Sequence, residues 1–284
     1  MTTKEAQACA AETLTYFMQT MPDAPFTEDE IIIEFAPQTK MVERYKALCA
    51  LYRPEQIINE NQAYQLANTI AANAILGRGK SAILVCNNPQ NDRIDWQLLI
   101  FHELMHIFCA KLEMDEKDHF IDIYVSGHTP DMNPDDKIYD GHLNAGYELW
   151  SEFIAQYYAL KMVEQRTYKF TDVINGVANS LLDVRPDTIF NDKTALAVAC
   201  AYMLTCEDAE ATLENFDAQG FLFDDGIQYA VNARMALRNC VEYLHRKIQT
   251  EKPWRITESY IAELGESFIA FKTLNCLYLG VASV

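Results

Sequence analysis

Residues 101–107 read Phe-His-Glu-Leu-Met-His-Ile, and they place His102 and His106 four positions apart. On an α-helix, side chains at positions i and i+4 lie one above the other on the same face. The two imidazole rings can therefore bind one metal ion. Glu103 lies beside this pair, where it can act as a general base without being a ligand. The stretch predicts a metal-dependent catalytic centre on a helix.

The surrounding sequence predicts that this helix is buried. It is expected to run from about Arg93 to Leu112 and is apolar on nearly every side, while Asp92 and Asp95 resemble a capping box at its start. Burying two histidines and a glutamate without partners would be costly, and a metal in a water-filled cleft removes that cost. The alternative is a buried helix whose two histidines hydrogen-bond to backbone carbonyls.

Composition narrows the class of protein. Half of the 284 residues are hydrophobic, and 41 acidic residues outnumber 23 basic ones, which gives a net charge of −18. Such a charge repels phosphate backbones and anionic membrane surfaces. The N-terminus lacks a signal-peptide pattern, and no apolar stretch is long enough to span a bilayer. We therefore expect a soluble, cytoplasmic protein that binds neither nucleic acid nor membranes.

The cysteines are scattered and contain no CxxC pair, so we expect reduced thiols in the core. Cys109 follows His106 by three positions, a spacing close to that of a thiolate ligand, but HExxH chemistry with a glutamate already explains the site. The cysteines are Cys9, Cys49, Cys86, Cys109, Cys200, Cys206, Cys240 and Cys276.

The hydrophobic patterns predict a mainly helical fold with a small sheet, an α+β protein. Helical patterns cover 3–20, 40–51, a segment from residue 55 or 61 to Leu76, and 93–112, and they resume at about Ala145. Short strands are expected at 31–35 and 82–86. The sequence Gly-Arg-Gly-Lys-Ser at 77–81 is not a phosphate loop, because Ala74 stands where the first glycine would be required and a strand follows.

Two segments near the predicted helix have further functional interpretations. The strand Ala82–Cys86 is either an edge strand that pairs with an extended substrate or an ordinary interior strand. The segment from Asp115 to Asn144 is polar and predicted to be a long loop. It contains His128 and His142, either of which could stabilise an oxyanion or serve as a third metal ligand, or simply face solvent.

The helix after this segment offers a third ligand. Glu148 and Glu152 lie four positions apart and therefore share a face. A catalytic zinc takes three protein ligands and keeps one open position, and two histidines with one glutamate form a known set. From the residues alone, either glutamate can complete it.

The HELMH helix and the later stretch EFIAQYYAL at 152–160 resemble the gluzincin metallopeptidases, in particular the compact ImmA/IrrE-type proteins. The third-ligand helix of that family runs Glu-x-x-Ala-(Asn/Asp)-x-Phe-Ala. The resemblance implies that Glu152 is the ligand and that Ala155 lets two helices approach. It also implies that Gln156 accepts a hydrogen bond from a zinc-bound histidine, and that Tyr158-Ala159 is the aromatic-small pair.

A second alignment to the same pattern makes Glu148 the ligand and Glu152 the hydrogen-bond acceptor. It places Ser151 where the family has alanine, and Ile154 where the family has an aromatic residue. The first alignment fits the pattern better. The resemblance also suggests a tyrosine or histidine that stabilises the oxyanion, and the candidates are Tyr147, Tyr157, His142 and His128.

Together these observations predict a zincin-like catalytic lobe at residues 1–165 and a helical C-terminal lobe at 166–284. The predicted activity is zinc-dependent hydrolysis of a peptide or protein substrate. His102, His106 and Glu152 would bind Zn²⁺, and Glu103 would activate the zinc-bound water. The alternatives are a non-catalytic helical interaction protein with a structural or vestigial metal site, and a zinc hydrolase that acts on a non-peptide amide.

Overall fold

The computed structural model describes residues 3–21, 23–88, 90–116, 134–164, 189–205 and 228–278. These residues are mainly helical and include one three-stranded sheet, which confirms the expected α+β class. The chain divides into two compact units, Met1–Glu116 with Lys161–Gln165, and Lys117–Leu160 with Arg166–Val284. The sequence predicts a boundary at residue 165.

The first unit combines helices and the sheet in the following order. Its elements are α1 (Thr3–Thr20), β1 (Ile31–Ala36), α2 (Met41–Tyr52), α3 (Glu60–Asn68), β2 (Ala71–Ile75), β3 (Ser81–Cys86) and α4 (Arg93–Glu116), with short 3-10 turns at Glu28–Glu30 and Gln38–Lys40.

The sheet has the strand order β1-β3-β2, with β3 parallel to β1 and antiparallel to β2. All six residues of β3 are buried. The interpretation of Ala82–Cys86 as an edge strand is therefore wrong, because both of its edges are paired. Helix α2 packs against one face of the sheet, where Leu48 and Cys49 contact Ala74. Helix α4 packs against β2 and β3.

Strand β2 replaces the C-terminal half of a helix that the sequence predicted to reach Leu76. Alanine favours helix, but a tight turn follows, in which Arg78 has φ 59° and Gly79 has φ 75°. Such a turn, with two residues at positive φ, matches the twist of antiparallel strands. Pairing with the buried strand β3 therefore outweighs local helix propensity.

The described secondary-structure elements of the second unit are all helices. It contains α5 (Pro134–Ala159), α6 (Ile189–Leu204), α7 (Gln228–Ile248) and α8 (Glu258–Tyr278). A π-helical turn, Leu160–Glu164, follows α5, and its residues from Lys161 onward belong to the first unit. Because α4 ends at Glu116 and α5 begins at Pro134, both ends of the segment predicted to be a loop are helical. His142 is therefore a helical residue, and His128 lies outside the described residues.

Helices α5 and α8 touch through their backbones at two glycines. A Cβ atom added to Gly265 would lie 1.8 Å from the carbonyl oxygen of His142, and one added to Gly146 would lie 2.0 Å from that of Ile261. Real Cβ atoms do not approach backbone that closely. The two helices can therefore lie this close only because both positions are glycine.

Replacing Gly265 by alanine is expected to lower the free energy of unfolding by about 3 kcal/mol, because the added methyl group must push α5 and α8 apart. The matched control is Gly141→Ala on α5, where an added Cβ meets nothing within 4 Å. That change is expected to stabilise the helix by about 0.5–1 kcal/mol. Chemical denaturation monitored by circular dichroism compares the two variants, and equal midpoints would contradict the close helix contact.

The described cysteines are buried free thiols, as the sequence predicted: Cys9, Cys49, Cys86, Cys109, Cys200 and Cys240. Cys206 and Cys276 lie outside the residues for which a side-chain environment is described. Within the described part of the chain, no helix combines the length and the apolar character needed to cross a membrane.

Candidate metal centre

Helix α4, which carries the two histidines and Glu103, is capped at its start and buried along its length. Its start is closed by a reciprocal pair of hydrogen bonds: the backbone N–H of Asp92 donates to the Asp95 carboxylate, and the backbone N–H of Asp95 donates to the Asp92 carboxylate, each at 2.9 Å. This confirms the predicted capping box. Apolar residues on either side of the motif, among them Trp96, Phe101 and Phe108, are at most 1% exposed. The helix is therefore fixed by burial along its length.

The two histidines of α4 converge as their spacing predicts. The Nε2 atoms of His102 and His106 are 3.0 Å apart, and the ring planes lie at 77° to each other. In a tetrahedral zinc site with Zn–N bonds of about 2.0–2.1 Å, the ligand nitrogens are about 3.3 Å apart. The observed spacing is close to that value. Two neutral imidazoles can also share one hydrogen bond at this distance.

The protonation state of His106 suits metal binding. Burial lowers the pKa of His106 to about 4, because an imidazolium is poorly solvated there. The ring is therefore neutral near pH 7, and the neutral imidazole is the form that binds a metal.

A carboxylate oxygen is a possible third donor beside the two imidazoles. One ligand atom from each of His102, His106 and Glu152 lies within 4.8 Å of the other two, and all three residues are partly buried. Two imidazoles and a carboxylate are the ligands of a known class of catalytic zinc sites, so these residues fit zinc. Cys109 is buried and does not belong to this group.

The second glutamate of α5 has a different partner. The carboxylate of Glu148 forms an ion pair with Lys193 of α6, and both side chains are largely buried, at 22% and 12% exposure. A carboxylate whose charge is already balanced by an ammonium group is a poor candidate for a metal ligand. The ion pair with Lys193 thus disfavours Glu148 as a ligand, a distinction that the residues alone did not make.

Glu103 is buried, with 7% of its surface exposed, and it is held by a residue that the sequence analysis did not identify. The Asn73 side-chain amide, on β2, donates a 2.7 Å hydrogen bond to Oε2 of Glu103. An amide donor stabilises the charged carboxylate, as a general base requires. In the sequence, the Gly-Arg-Gly-Lys turn could have indicated this contact, because such a turn predicts a hairpin and hence a strand at Asn73.

The remaining candidates lie on α5 or outside the described residues. The ring of Tyr157 stacks on Phe153 at 5.8 Å, and the ring of Tyr147 lies 5.9 Å from that of Trp150. The His142 carbonyl is the atom that approaches Gly265. These contacts pack α5 and leave the choice of an oxyanion-stabilising residue open among the tyrosines and His142.

Comparison of the chain with family models, with curated proteins and with solved structures gave no match. The candidate centre is therefore defined by its own residues, His102, Glu103, His106, Glu152 and Asn73.

Proposed function

We propose that this protein is a zinc-dependent metallopeptidase with a zincin-like core, in which His102, His106 and Glu152 bind the metal and Glu103 is the general base. The observation that carries the proposal is the 3.0 Å separation of the two histidine Nε2 atoms on one face of α4, beside a buried glutamate. The resemblance to gluzincins at 152–160 supports the choice of third ligand.

The number of donors favours a catalytic over a structural metal. Structural zinc sites almost always use four protein ligands, whereas catalytic sites use three and keep one position open. Among the described residues, the group comprises three donors, His102, His106 and Glu152. This count favours the peptidase over an interaction protein with a structural metal.

Bound zinc supplies Lewis-acid chemistry, which polarises a carbonyl group and lowers the pKa of water. The chain's own residues handle the proton. Asn73 fixes Oε2 of Glu103, and Oε1 accepts a proton from the water whose oxygen attacks the peptide carbonyl carbon. Glu103 then returns this proton to the amide nitrogen as the C–N bond breaks, so the products are a carboxylic acid and an amine.

The open edge of β2 favours a peptide as the substrate. The backbone N–H of Leu76 donates to the Lys80 carbonyl, and that of Cys86 donates to the Ile70 carbonyl. These two bonds show which opposite residues of β2 and β3 are hydrogen-bonded to each other. Because antiparallel pairs alternate, the N–H and C=O groups of every second β2 residue point away from β3. These residues are Ala71, Asn73 and Ile75, and the Ala71 carbonyl already accepts a 2.6 Å hydrogen bond from the Thr69 hydroxyl. No other described strand pairs with this edge, so an extended peptide can add to it beside α4.

Metal removal tests the proposed function. The purified chain is expected to bind about one zinc ion and to cleave members of a mixed peptide library, with cleavage lost after chelation and restored by stoichiometric zinc. Mass spectrometry of the library identifies the new termini. A chain that binds no zinc, or that binds it and cleaves no peptide, would refute the proposal. Release of small amines from non-peptide amides alone would identify an amidohydrolase.

Replacing Asn73 by alanine is expected to lower kcat about tenfold or more while zinc stays bound, because the Glu103 carboxylate loses a charge-assisted hydrogen bond. The control is Asn68→Ala at the end of α3, whose amide donates to the Tyr64 carbonyl and does not contact Glu103. Steady-state kinetics and metal analysis of both variants provide the measurement. Unchanged kcat in Asn73→Ala would show that the amide does not position the base.

A further inference from the structure

A cleft of about 280 Å³ lies against β2, and it is formed within the first unit. Ala72 and Asn73 form its wall on the strand, residues of α2 and α3 form the other walls, and the connection between those helices contributes Gln56 and Ile58. Its volume is just below the range of about 300–1,000 Å³ that holds drug-sized ligands. The cleft is therefore suited to a single side chain.

The lining of the cleft is neutral but rich in hydrogen-bonding groups. Glutamine side chains from three positions, Gln56, Gln62 and Gln65, face it together with Thr69 and Asn73. Of the described residues that line the cleft, only Tyr45 is ionisable. An ion entering this space would lose water and gain no opposite charge, whereas a neutral amide could exchange hydrogen bonds with the lining.

Part of this lining is already fixed in place. The Gln56 amide accepts a hydrogen bond from the Cys49 thiol at 3.7 Å and also hydrogen-bonds with the Tyr45 hydroxyl. Gln62 caps the start of α3 by accepting from the backbone N–H of Asn59 at 3.2 Å. Side chains held in this way lose little conformational freedom when a ligand binds, which favours affinity.

Asn73 connects the cleft to the candidate general base. Its amide donates to Glu103, and the same residue lines the cleft. Because successive side chains of an extended peptide point to opposite sides, a peptide paired with the edge of β2 can place one side chain in the cleft. The neighbouring residue would then face α4.

We propose that the cleft at the open edge of β2 is a specificity subsite for an uncharged, hydrogen-bonding side chain, asparagine or glutamine, of a peptide that pairs with β2. The proposal rests on the proposed peptidase function and adds the chemical class of the substrate residue. Gln65, on the exposed side of α3, is the position at which this preference can be changed.

Peptide binding to the full-length, chelator-treated protein tests the proposal without hydrolysis. The probes are fluorescent peptides with four alanines around one central residue, which is Gln, Leu, Lys or Glu. The probes therefore differ only at this residue, whichever register a peptide adopts on β2. Fluorescence anisotropy is expected to show at least about fivefold tighter binding of the Gln peptide than of the Lys or Glu peptides, with the Leu peptide between them.

A charge change in the cleft provides the second measurement. Gln65→Lys is expected to tighten binding of the Glu peptide at least about fivefold, because the new ammonium group balances the buried carboxylate. The control is Gln19→Lys on the exposed surface of α1, which adds the same charge away from the cleft and is expected to leave all four affinities unchanged.

The outcomes separate the subsite from the catalytic function. Selective binding that responds to Gln65→Lys, in a protein that cleaves nothing when loaded with zinc, would support the subsite and refute the peptidase. The subsite would be overturned by cleavage without selectivity, by an equal response to Gln65→Lys and Gln19→Lys, or by the absence of binding of any probe. Cleavage together with a Gln65-dependent preference supports both.

Discussion

Glu103→Gln is expected to lower kcat/KM for peptide hydrolysis by about 100- to 10,000-fold, with zinc still bound. Glutamine has the shape of glutamate and its carbonyl oxygen can still accept from Asn73, but the amide cannot take a proton from water. The measurement combines steady-state kinetics on a cleaved library peptide with metal analysis of the same sample.

The control for this variant is Glu43→Gln on the exposed surface of α2, where the carboxylate pairs with solvent-exposed Lys40. Its activity is expected to match that of the wild type, because surface ion pairs contribute about 0–1 kcal/mol. Full activity in Glu103→Gln, with zinc bound, would exclude Glu103 as the general base and with it the proposed mechanism.

Glu152→Ala is expected to lose at least about 100-fold in zinc affinity, because two histidines alone remain to hold the ion. Removing a group that merely supports a ligand typically costs 10- to 100-fold, and a ligand should cost more. Competition with a chromophoric zinc chelator gives the affinity, and metal analysis after dialysis gives the stoichiometry.

Glu148→Ala is the matched variant on the same helix. It is expected to retain zinc and to lose about 1–3 kcal/mol of stability, because Lys193 would keep a largely buried charge without this carboxylate. Zinc lost in Glu148→Ala and kept in Glu152→Ala would reverse the assignment of the third ligand. Zinc kept in both variants would exclude a glutamate of α5 as a ligand.

The features that the sequence predicted well depend on local interactions. The capping pair Asp92 and Asp95, the apolar surface of α4 and the i, i+4 spacing of the histidines are all contained within one helix. Their outcome follows from helical geometry once the helix is recognised. The mainly helical fold with a small sheet follows from the same kind of periodicity.

The features that the sequence did not predict depend on distant residues. The sequence predicts helix at β2 because its alanines favour helix, and only pairing with β3 makes it a strand. Asn73 was missed as a consequence, since its bond to Glu103 spans 30 positions. The distinction between Glu148 and Glu152 likewise required Lys193, which lies on another helix.

The backbone contact between Gly146 and Gly265 sets the rotation of α5 about its own axis. Glu152 lies less than two turns further along α5, so this contact also fixes the direction in which the Glu152 side chain leaves the helix. Inserting or deleting one residue between Gly146 and Glu152 would turn the carboxylate by about 100° around the helix. The segment between Gly146 and Glu152 can therefore vary in side chains but not in length, because the two glycines fix the direction of the proposed third ligand on α5.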